Sequence, residues 1–498
     1  MIKQIMKNFY SGLIILLFLF GSCTYDKQVD PLEGSGYPTE VGKIIVNKCA
    51  TAGCHNSLSR ANAGGLDFST WDLMFEGGRN GSSVIPFSTD YSYMLYFINT
   101  DSTRGPALLP TMPQGETPLT NEEFQILYSW VHNGARNEND FVKFSDDPNR
   151  KKFYVCMQGC DQVAVFDAQS KVIMRYIPVG VDPTIEAPHL VRVSPDGEYW
   201  YVVFYSGHVL QKFRTSDDSY VGALEIGTGD WNTIIFSPDS KKGFVNATIA
   251  GITKVVDLEN MAVETSLSID FPHGGFTTSD GEYAYITSQT GNFITKVEID
   301  GPFYDVDKIA LGTGENTSTA SKYDAHEMIL SPDEHFYYVS CQKSNEVRVM
   351  ERERSSSDDT LIAVIPVGNK PQEFSLSETR PYLFVTCTED STMGTRKKGS
   401  VYVINYLTNQ VIKKIYTGYQ PHGIAVDDDH DCVYVANLNY DNSGPAPHHV
   451  STCGGRNGYL TVIDMSTLEL YQKKLSDGSS FEYRNELLSF PYFVSYRK

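Results

Sequence analysis

Short strands of alternating character dominate the chain from about residue 150 onward. Tight turns of the Ser-Pro-Asp-Gly type separate them, and aspartate and glycine supply the backbone conformations that such turns need. Each turn precedes an aromatic and β-branched segment such as Tyr199-Trp-Tyr-Val or Phe336-Tyr-Tyr-Val, a composition typical of strands. The turns lie at residues 194–197, 237–240, 278–281 and 331–334, with degenerate copies at 377–380 and 427–430. The pattern predicts an all-β repeat.

The repeat predicts the blades of a β-propeller, because it has a period of about 40 to 50 residues and four strands per unit. The innermost strands are expected to begin at residues 188, 231, 272, 325, 371, 421 and 491. Residues 152–180 supply only three strands. We therefore expect the C-terminal strand to complete the first blade and close a seven-bladed ring without an exposed sheet edge.

A helical pattern precedes the repeat. Residues 119–135 predict a helix that is capped by Thr120 or Asn121, has acidic residues in its first turn, and ends at Gly134. The apolar stripe of this helix consists of Phe124, Leu127, Tyr128 and Val131.

Residues 49–55 read Cys-Ala-Thr-Ala-Gly-Cys-His and contain most of the chemistry that the sequence reveals. Two thiols followed by an imidazole are typical of covalent haem attachment. Cys49 and Cys54 are separated by four residues rather than the usual two, so three interpretations stay open: a c-type haem, a disulfide, or a metal site with His55. Met112, between Pro110 and Pro113, is a candidate for a second iron ligand. The alternative role of Met112 is core packing.

Residues 37–136 resemble the small cytochrome c domains of bacterial surface and periplasmic proteins. The wide cysteine spacing is the feature that departs from these domains. The matching residues are Cys49, Cys54 and His55, Gly64-Gly65-Leu66, Met112-Pro113, Trp130 and Gly134-Ala135. The resemblance implies a small all-α domain with one haem c, thioethers at Cys49 and Cys54, His55 as proximal ligand and Met112 as distal ligand.

The first 22 residues have the pattern of a signal peptide. Basic residues precede an apolar run from Leu13 to Phe20, which is short for a membrane-spanning helix. The sequence up to Cys23 resembles a bacterial lipoprotein cleavage site, although leucine is more usual at the position of Phe20. This resemblance implies lipid at Cys23, a polar tether over residues 23–36, and a location in the periplasm or on the outer-membrane surface. The alternative is a secreted protein with an incidental cysteine.

Composition narrows the range of partners. The formal charge of −20 disfavours nucleic acid and brings no basic patch for anionic lipid, so membrane contact is expected through the lipid anchor alone. A chain of 498 residues with 41% hydrophobic content suffices for two or three domains. Residues 137–151 are interpreted as a polar linker, and residues 152–498 as the propeller.

Histidines recur at one position of the repeat. The second residue of each innermost strand should face the central channel, where neutral imidazoles are ligands for copper and other transition metals. These residues are His189, Asn232, His273, His326, Gln372, His422 and Tyr492. The repeat resembles the YVTN-type propellers of bacterial surface proteins and the propellers of haem-d nitrite reductases and nitrous oxide reductase. The resemblance to nitrous oxide reductase implies a copper site, although that family surrounds its copper with more histidines. The alternative is that Pro-His-Gly is a common start of a blade and has no role in metal binding.

The remaining cysteines are expected to include disulfides, because haem attachment and lipidation take place outside the cytoplasm. Cys156 and Cys160 flank a short hairpin and are predicted to pair. No partner is assigned to Cys341, Cys387, Cys432 or Cys453. An insertion at residues 439–458 contains His448, His449 and Cys453, and is interpreted as a glycine-rich surface loop rather than a metal site.

Together these patterns predict a multidomain, lipid-anchored, extracytoplasmic protein with a small all-α cytochrome c domain followed by an all-β seven-bladed propeller. Its predicted function is haem-c electron transfer, with a propeller that binds a redox partner protein, a metal or a small-molecule substrate. An electron carrier is favoured over a defined catalyst. The alternatives are a non-catalytic propeller that binds protein or glycan, and a structural protein with a haem-free domain.

Overall fold

The computed structural model describes residues 32–301, 303–320, 322–354, 358–449 and 453–497. The predicted signal peptide and the predicted lipid-attachment residue Cys23 therefore lie outside the described residues. No helix in this described part of the chain is long and apolar enough to cross a membrane.

The N-terminal region, residues 32–144, consists of short helices joined by turns. Apart from an isolated bridge between Gly78 and Gly81, its described regular structure is helical. The helices are α1 (Thr39–Ile44), a π-helical turn (Ile45–Cys49), α2 (Trp71–Met74), α3 (Tyr93–Ile98) and α4 (Asn121–His132), with 3₁₀ turns at Arg60–Asn62, Thr89–Tyr91 and Ser102–Arg104.

Helix α4 confirms the helix predicted from its apolar stripe. The Thr120 hydroxyl accepts a hydrogen bond from the Glu123 backbone N–H, and the Glu123 carboxylate accepts one from the Thr120 N–H, which completes a capping box. The stripe is buried at Phe124, Leu127 and Val131. It packs against α1 and the cysteine-containing segment in one core. Helix α4 therefore packs beneath the segment that contains Cys49 and holds it in place.

Residues 152–497 form a β-propeller. The strands, in chain order, are β1 (Lys152–Met157), β2 (Gln162–Asp167), β3 (Ile173–Pro178), β4 (Pro188–Val193), β5 (Tyr199–Phe204), β6 (Val209–Arg214), β7 (Tyr220–Glu225), β8 (Trp231–Phe236), β9 (Lys242–Ala247), β10 (Ile252–Asp257), β11 (Ala262–Ser268), β12 (Pro272–Thr277), β13 (Tyr283–Ser288), β14 (Phe293–Glu298), β15 (Val306–Ala310), β16 (Ala325–Leu330), β17 (Phe336–Cys341), β18 (Glu346–Glu351), β19 (Thr360–Pro366), β20 (Pro371–Leu376), β21 (Tyr382–Cys387), β22 (Ser400–Asn405), β23 (Gln410–Ile415), β24 (Pro421–Asp427), β25 (Cys432–Asn437), β26 (Asn457–Asp464), β27 (Glu469–Leu470), β28 (Gln472–Lys474), β29 (Ser480–Glu482), β30 (Arg484–Ser489) and β31 (Pro491–Tyr496).

Seven antiparallel sheets of four or five strands confirm the seven predicted blades, and β28 and β29 form a further two-stranded sheet in the described residues. Blade 1 has the order β3-β2-β1-β31, so the last strand of the chain completes the first blade as predicted. Blades 2 to 6 each use four consecutive strands, and blade 7 (β24 to β27) gains β30 as an additional partner of β26. All seven innermost strands begin at the residues predicted from the repeat. Pairing of β31 with β1 thus joins the first and the last strand of the propeller within one blade.

The recurring turn motif has a recurring hydrogen-bond pattern. In the turn before β5, the Ser194 hydroxyl donates to Asp196 Oδ1 at 2.6 Å and accepts from the Tyr199 backbone N–H at 3.2 Å. The Ser331 hydroxyl donates in the same way to Asp333 at 2.6 Å. A serine and an aspartate two residues later thus satisfy the backbone where the first strand of a blade turns into the second.

The N-terminal region packs against blades 1 and 7. The Glu486 N–H donates to the Asn80 carbonyl at 3.1 Å, and the Ser82 hydroxyl donates to the Ile173 carbonyl at 3.4 Å. The rings of Tyr91 and Tyr176 meet with centroids 4.8 Å apart. The segment predicted as a linker takes part in this packing, because Phe144 is buried in the core of blades 1 to 3.

The predicted disulfide between Cys156 and Cys160 is wrong, because Cys160 pairs with Cys453. Cys156 lies in β1 and packs towards blade 2, with Sγ 3.5 Å from the His189 carbonyl. Cys160 lies in the following turn and packs in the core shared with blade 7. The two side chains therefore face opposite sides of one blade, and the disulfide instead ties blade 1 to the insertion of blade 7.

Candidate functional sites

A cavity of about 380 Å³ lies between the N-terminal region and the insertion of blade 7. Its wall contains all four residues that the sequence predicts to bind haem: Cys49 and Cys54 as thioethers, and His55 and Met112 as iron ligands. Much of the remaining wall is apolar and includes Leu66, Phe68, Met94, Phe97 and Ile98.

Both cysteines of the motif are free thiols, so the disulfide interpretation of this pair finds no support in the structure. Cys49 ends the π-helical turn and is buried, whereas Cys54 is half-buried in the turn that follows. Burial raises the pKa of Cys49 to about 12, with the neighbouring Cys54 adding to the effect. The His55 N–H donates to the Cys49 carbonyl at 3.1 Å, which folds the widened motif back on itself. The extra residues between the cysteines are thus accommodated in a turn at the cavity wall.

His55 presents a neutral imidazole to the cavity. Burial lowers its pKa, against opposing effects of the Ala63 backbone and Asp67. Its Nδ1 atom is buried and has no hydrogen-bond partner among the described residues. Its ring packs on Phe68 with a centroid separation of 4.9 Å. A neutral, incompletely satisfied imidazole in an apolar wall is suited to metal ligation.

Met112 reaches the same cavity from a loop held against α3. Its N–H donates to the Phe97 carbonyl at 2.8 Å, and the peptide bonds preceding Pro110 and Pro113 are cis. Its side chain is partly buried against the core of the N-terminal region. Met94, on α3, also lines the cavity. Two methionine side chains therefore line the cavity, and the sequence predicts one of them, Met112, as the distal iron ligand.

The propeller contributes two histidines to the cavity, which sequence analysis placed in a surface loop. His448 and His449 lie in the blade 7 insertion, and their backbone N–H groups each donate to the Glu486 carboxylate at 2.8 Å. The His449 ring stacks on Tyr93 with centroids 3.6 Å apart. Burial lowers the pKa of His449 to about 3, with the adjacent His448 adding to the effect. The insertion, tied down at Cys453, therefore forms one wall of the cavity rather than a free loop.

These residues fit a haem c. Two free thiols, a neutral imidazole and a thioether line one largely apolar cavity, and the buried Nδ1 of His55 lacks a partner. Thiols are needed for thioethers, and an imidazole with a thioether forms the His/Met ligand pair of c-type cytochromes.

The structure also brings the four propeller histidines together. All four are buried at the start of the innermost strands β4, β12, β16 and β24. Ring centroids are 6.3 Å apart for His189 and His273, 4.1 Å for His273 and His326, and 5.9 Å for His326 and His422. Tyr492 closes the group, with its ring 3.9 Å from that of His422.

The imidazoles of this channel are neutral, because burial lowers the pKa of every one of the four histidines. Their Nδ1 atoms have hydrogen-bond partners: the His326 carbonyl for His273 at 3.0 Å and the Tyr492 carbonyl for His422 at 3.2 Å. The Nε2 atoms of His189, His326 and His422 are buried without a hydrogen-bond partner among the described residues. Each of these three is therefore a free donor atom for a ligand.

Two glutamates accompany the histidines, and sequence analysis missed both. Glu327 and Glu373 directly follow His326 and Gln372, and each is about 4% exposed. Burial raises the pKa of both carboxyls, while Arg192 opposes the shift. A side chain at Gly274 would collide with Glu327, because its Cβ would overlap with Oε1 of the carboxylate. Comparing the repeats one position further along would have revealed these acids and the glycine that makes room for one of them.

A second group of donor atoms lies on the surface. Asp182, Glu186 and His208 place their ligand atoms within 4.8 Å of one another, but Asp182 is exposed and His208 half-buried. His208 Nδ1 also lies 2.6 Å from Glu225. Of the three, only Glu186 is buried, and exposed acidic groups such as Asp182 commonly exist without a metal.

The similarities to known proteins concern the propeller. Residues 272–397, about a quarter of the chain, match the family described as Lactonase, 7-bladed beta-propeller. A putative 6-phosphogluconolactonase from Bacteroides uniformis has a similar structure with a TM-score of 0.52 and 12% identity, over 70% of this chain and 99% of that chain. No curated protein matches the chain in sequence.

Two further solved structures show weaker similarity. Hydrazine synthase of Kuenenia stuttgartiensis has a TM-score of 0.48 and 16% identity, over 64% of this chain and 91% of that chain. The dihydro-heme d1 dehydrogenase NirN has a TM-score of 0.45 and 13% identity, over 84% of this chain and 94% of that chain. At these identities, likeness extends to the fold alone, and the fold does not determine the function.

Proposed function

We propose that the protein is a lipid-anchored, extracytoplasmic electron carrier with one haem c in the N-terminal region. The observation that carries the proposal is the single cavity shared by Cys49, Cys54, His55 and Met112. Cys49 and Cys54 would hold the porphyrin through thioethers, and His55 and Met112 would ligate the iron. Bound haem c supplies one-electron transfer.

The surrounding residues hold these ligands in place and limit water. Phe68 supports the His55 ring, and the hydrogen bond from Met112 to the Phe97 carbonyl fixes the methionine loop on α3. The stacked pair of Tyr93 and His449 covers the cavity from the propeller side. A low-polarity enclosure and the identity of the axial ligands are the main means by which a protein sets a haem potential.

In this proposal the propeller has two roles. Its blade 7 insertion completes the cavity, and its remaining surface provides a scaffold on which a redox partner docks. The net charge of −20 favours a basic partner through long-range attraction. Attachment to a bacterial membrane rests on the pattern of residues 1–23, which includes Cys23.

The first test is the absorption spectrum of the full-length protein from cells competent in haem attachment. We expect about one c-type haem per chain in a pyridine haemochrome assay, resistant to denaturation because it is covalent. A colourless protein from such cells would contradict the proposal. The chain would then be a propeller binding module with a haem-free N-terminal region.

The second test separates the two thioethers of the cavity. Met112→Leu should remove the methionine–iron absorption band of the oxidised protein and lower its reduction potential, since methionine ligation raises the potential. Met94→Leu is the matched control, because Met94 lines the same cavity. Loss of the band in the Met94 variant instead would assign the distal ligand to α3.

A further inference from the structure

We propose that the propeller channel binds one divalent transition-metal ion through His326, Glu373 and His422. The ion is of the Zn²⁺ or Fe²⁺ class. This site lies in the innermost strands of blades 5, 6 and 7 and does not depend on the haem proposal. It differs from the expected copper site of four histidines, because one ligand is a carboxylate and His189 and His273 are not ligands.

Geometry selects these three residues from the channel. One ligand atom from each lies within 4.8 Å of the other two, and all three residues are buried. His326 Nε2 is 3.3 Å from Glu373 Oε1, yet it makes no hydrogen bond among the described residues. Two donor atoms that share a tetrahedral ion at about 2.1 Å lie about 3.4 Å apart. The observed separation therefore suits a shared ion.

The second contacts of the histidines also suit ligation. His422 Nδ1 faces the Tyr492 carbonyl at 3.2 Å, which places the proton on Nδ1 and leaves the lone pair on the unpartnered Nε2. His326 Nδ1 lies 2.5 Å from the Gln342 side-chain amide and donates its proton there when the amide oxygen, rather than the amide nitrogen, faces the ring, which leaves the lone pair on Nε2. Metal-ligating histidines usually have their other ring nitrogen fixed in this manner.

Charge in the channel supplies the third argument. Glu327 and Glu373 are both buried and their carboxyl groups contact each other, and a buried carboxylate is costly unless it is paired or binds a metal. In the described part of the chain, Arg192 is the only arginine or lysine that forms an ion pair with either acid, at 3.9 Å from Glu327. Among the described residues, no arginine or lysine forms an ion pair with Glu373. A divalent ion at Glu373 would compensate for its charge.

The ligand set indicates the chemical class of the ion. Two imidazoles and one carboxylate form the donor set of zinc sites that keep a fourth position open, and of non-haem Fe²⁺ sites. No thiol contributes a donor atom to this group of three. Three protein ligands leave room for an exchangeable ligand.

The test uses Zn²⁺ as the probe, since the iron of a bound haem does not contribute to zinc measurements. Full-length protein is stripped with a chelator, equilibrated with Zn²⁺ and desalted, and zinc per chain is measured by mass spectrometry. We expect about one zinc that is lost, or bound at least about tenfold more weakly, in Glu373→Gln and His422→Gln. His189→Gln and His208→Ala should retain it.

Three results would overturn the proposal: no zinc in the wild type, unchanged zinc affinity in both ligand variants, or loss of zinc only in His208→Ala, which would assign it to the surface group. If the ligand variants do not fold, zinc-edge X-ray absorption of the wild type decides. Two nitrogen ligands and one protein oxygen at about 2.0 to 2.2 Å support the site. Sulfur ligands, or a shell of water alone, contradict it.

Discussion

The cavity of the N-terminal region and the channel of the propeller both gather imidazoles, but they are assembled in different ways. Three of the four proposed haem-binding residues come from seven consecutive residues, 49–55. The proposed ligands of the channel come from three successive blades, one residue from each. The cavity has room for a large ligand, whereas the channel is lined by buried rings and carboxylates whose ligand atoms converge. A large prosthetic group suits the first site, and a single ion suits the second.

This difference explains which residues sequence reasoning finds. A contiguous motif exposes its chemistry directly, while a site spread over repeats appears only when the repeats are aligned position by position. The structure also joins the two regions, because the blade 7 insertion lines the cavity. The wall of the cavity is thus built by residues of both the N-terminal region and the propeller.

The largest effect should come from removing both motif thiols. Cys49→Ala with Cys54→Ala should abolish covalent haem, because no thioether can form, while zinc binding in the channel should stay unchanged. Haem staining of a denaturing gel and zinc per chain measure the two sites in one sample. Glu373→Gln is the reciprocal variant, and it should keep the haem. Covalent haem in the double variant would contradict the assignment of the motif.

The propeller could be predicted from the sequence in detail, including its blade number, its closure by β31 and the start of every innermost strand. Repetition made this possible, since each blade confirms the interpretation of its neighbours. Helix α4 was predicted because its stripe and its cap are local. The cap itself is Thr120 rather than Asn121.

Long-range contacts were not predictable in the same way. Cys160 and Cys453 are 293 residues apart, and nothing local to Cys160 indicates that its side chain faces blade 7 while Cys156 faces blade 2. His449 looks like part of a glycine-rich loop until Tyr93 and Glu486 are placed beside it. Glu373 follows the aligned position of the histidines by one residue, so the histidine pattern alone does not indicate it.

The disulfide offers a way to separate the cavity from the channel. Cys453→Ser should lower the free energy of unfolding by about 4 kcal/mol, because the bond closes a very long loop of the unfolded chain. The variant should also loosen the insertion that holds His449 over the cavity. Chemical unfolding under oxidising conditions measures the loss, and reductant should weaken the wild type but not the variant.

Cys432→Ser is the control for the disulfide variant. Its thiol is buried outside any disulfide, with Sγ 3.1 Å from the His430 carbonyl, a contact that serine can keep. A loss of about 1 kcal/mol or less is expected there. Equal unfolding midpoints for wild type and Cys453→Ser would show that the bond contributes nothing measurable to stability.

A smaller effect should follow from opening the wall between the two regions at Tyr93. Tyr93→Ala removes a ring that is 7% exposed and stacked on His449, and should cost about 3 kcal/mol through the cavity that it leaves. Tyr93→Phe keeps the ring and removes a buried hydroxyl that interacts with the Asn457 side chain, so it should cost about 1 kcal/mol, clearly less than Tyr93→Ala. Equal losses in the two variants would contradict a role for the stacked ring.

The smallest effect should come from the cap of α4, and it should be confined to the N-terminal region. Thr120→Ala removes the hydroxyl that accepts from the Glu123 N–H, which should cost about 1 kcal/mol and fray the first turn of the helix. Thr120→Ser keeps the capping oxygen, so the free energy of unfolding should fall by only a few tenths of a kcal/mol. Hydrogen exchange read by mass spectrometry should show faster exchange in residues 120–124 of the alanine variant and unchanged protection in the blades. Faster exchange in the blades as well would mean that the two regions unfold as one cooperative unit. The contacts of Glu486 and Tyr91 across the interface would then couple the stability of the blades to that of the helix.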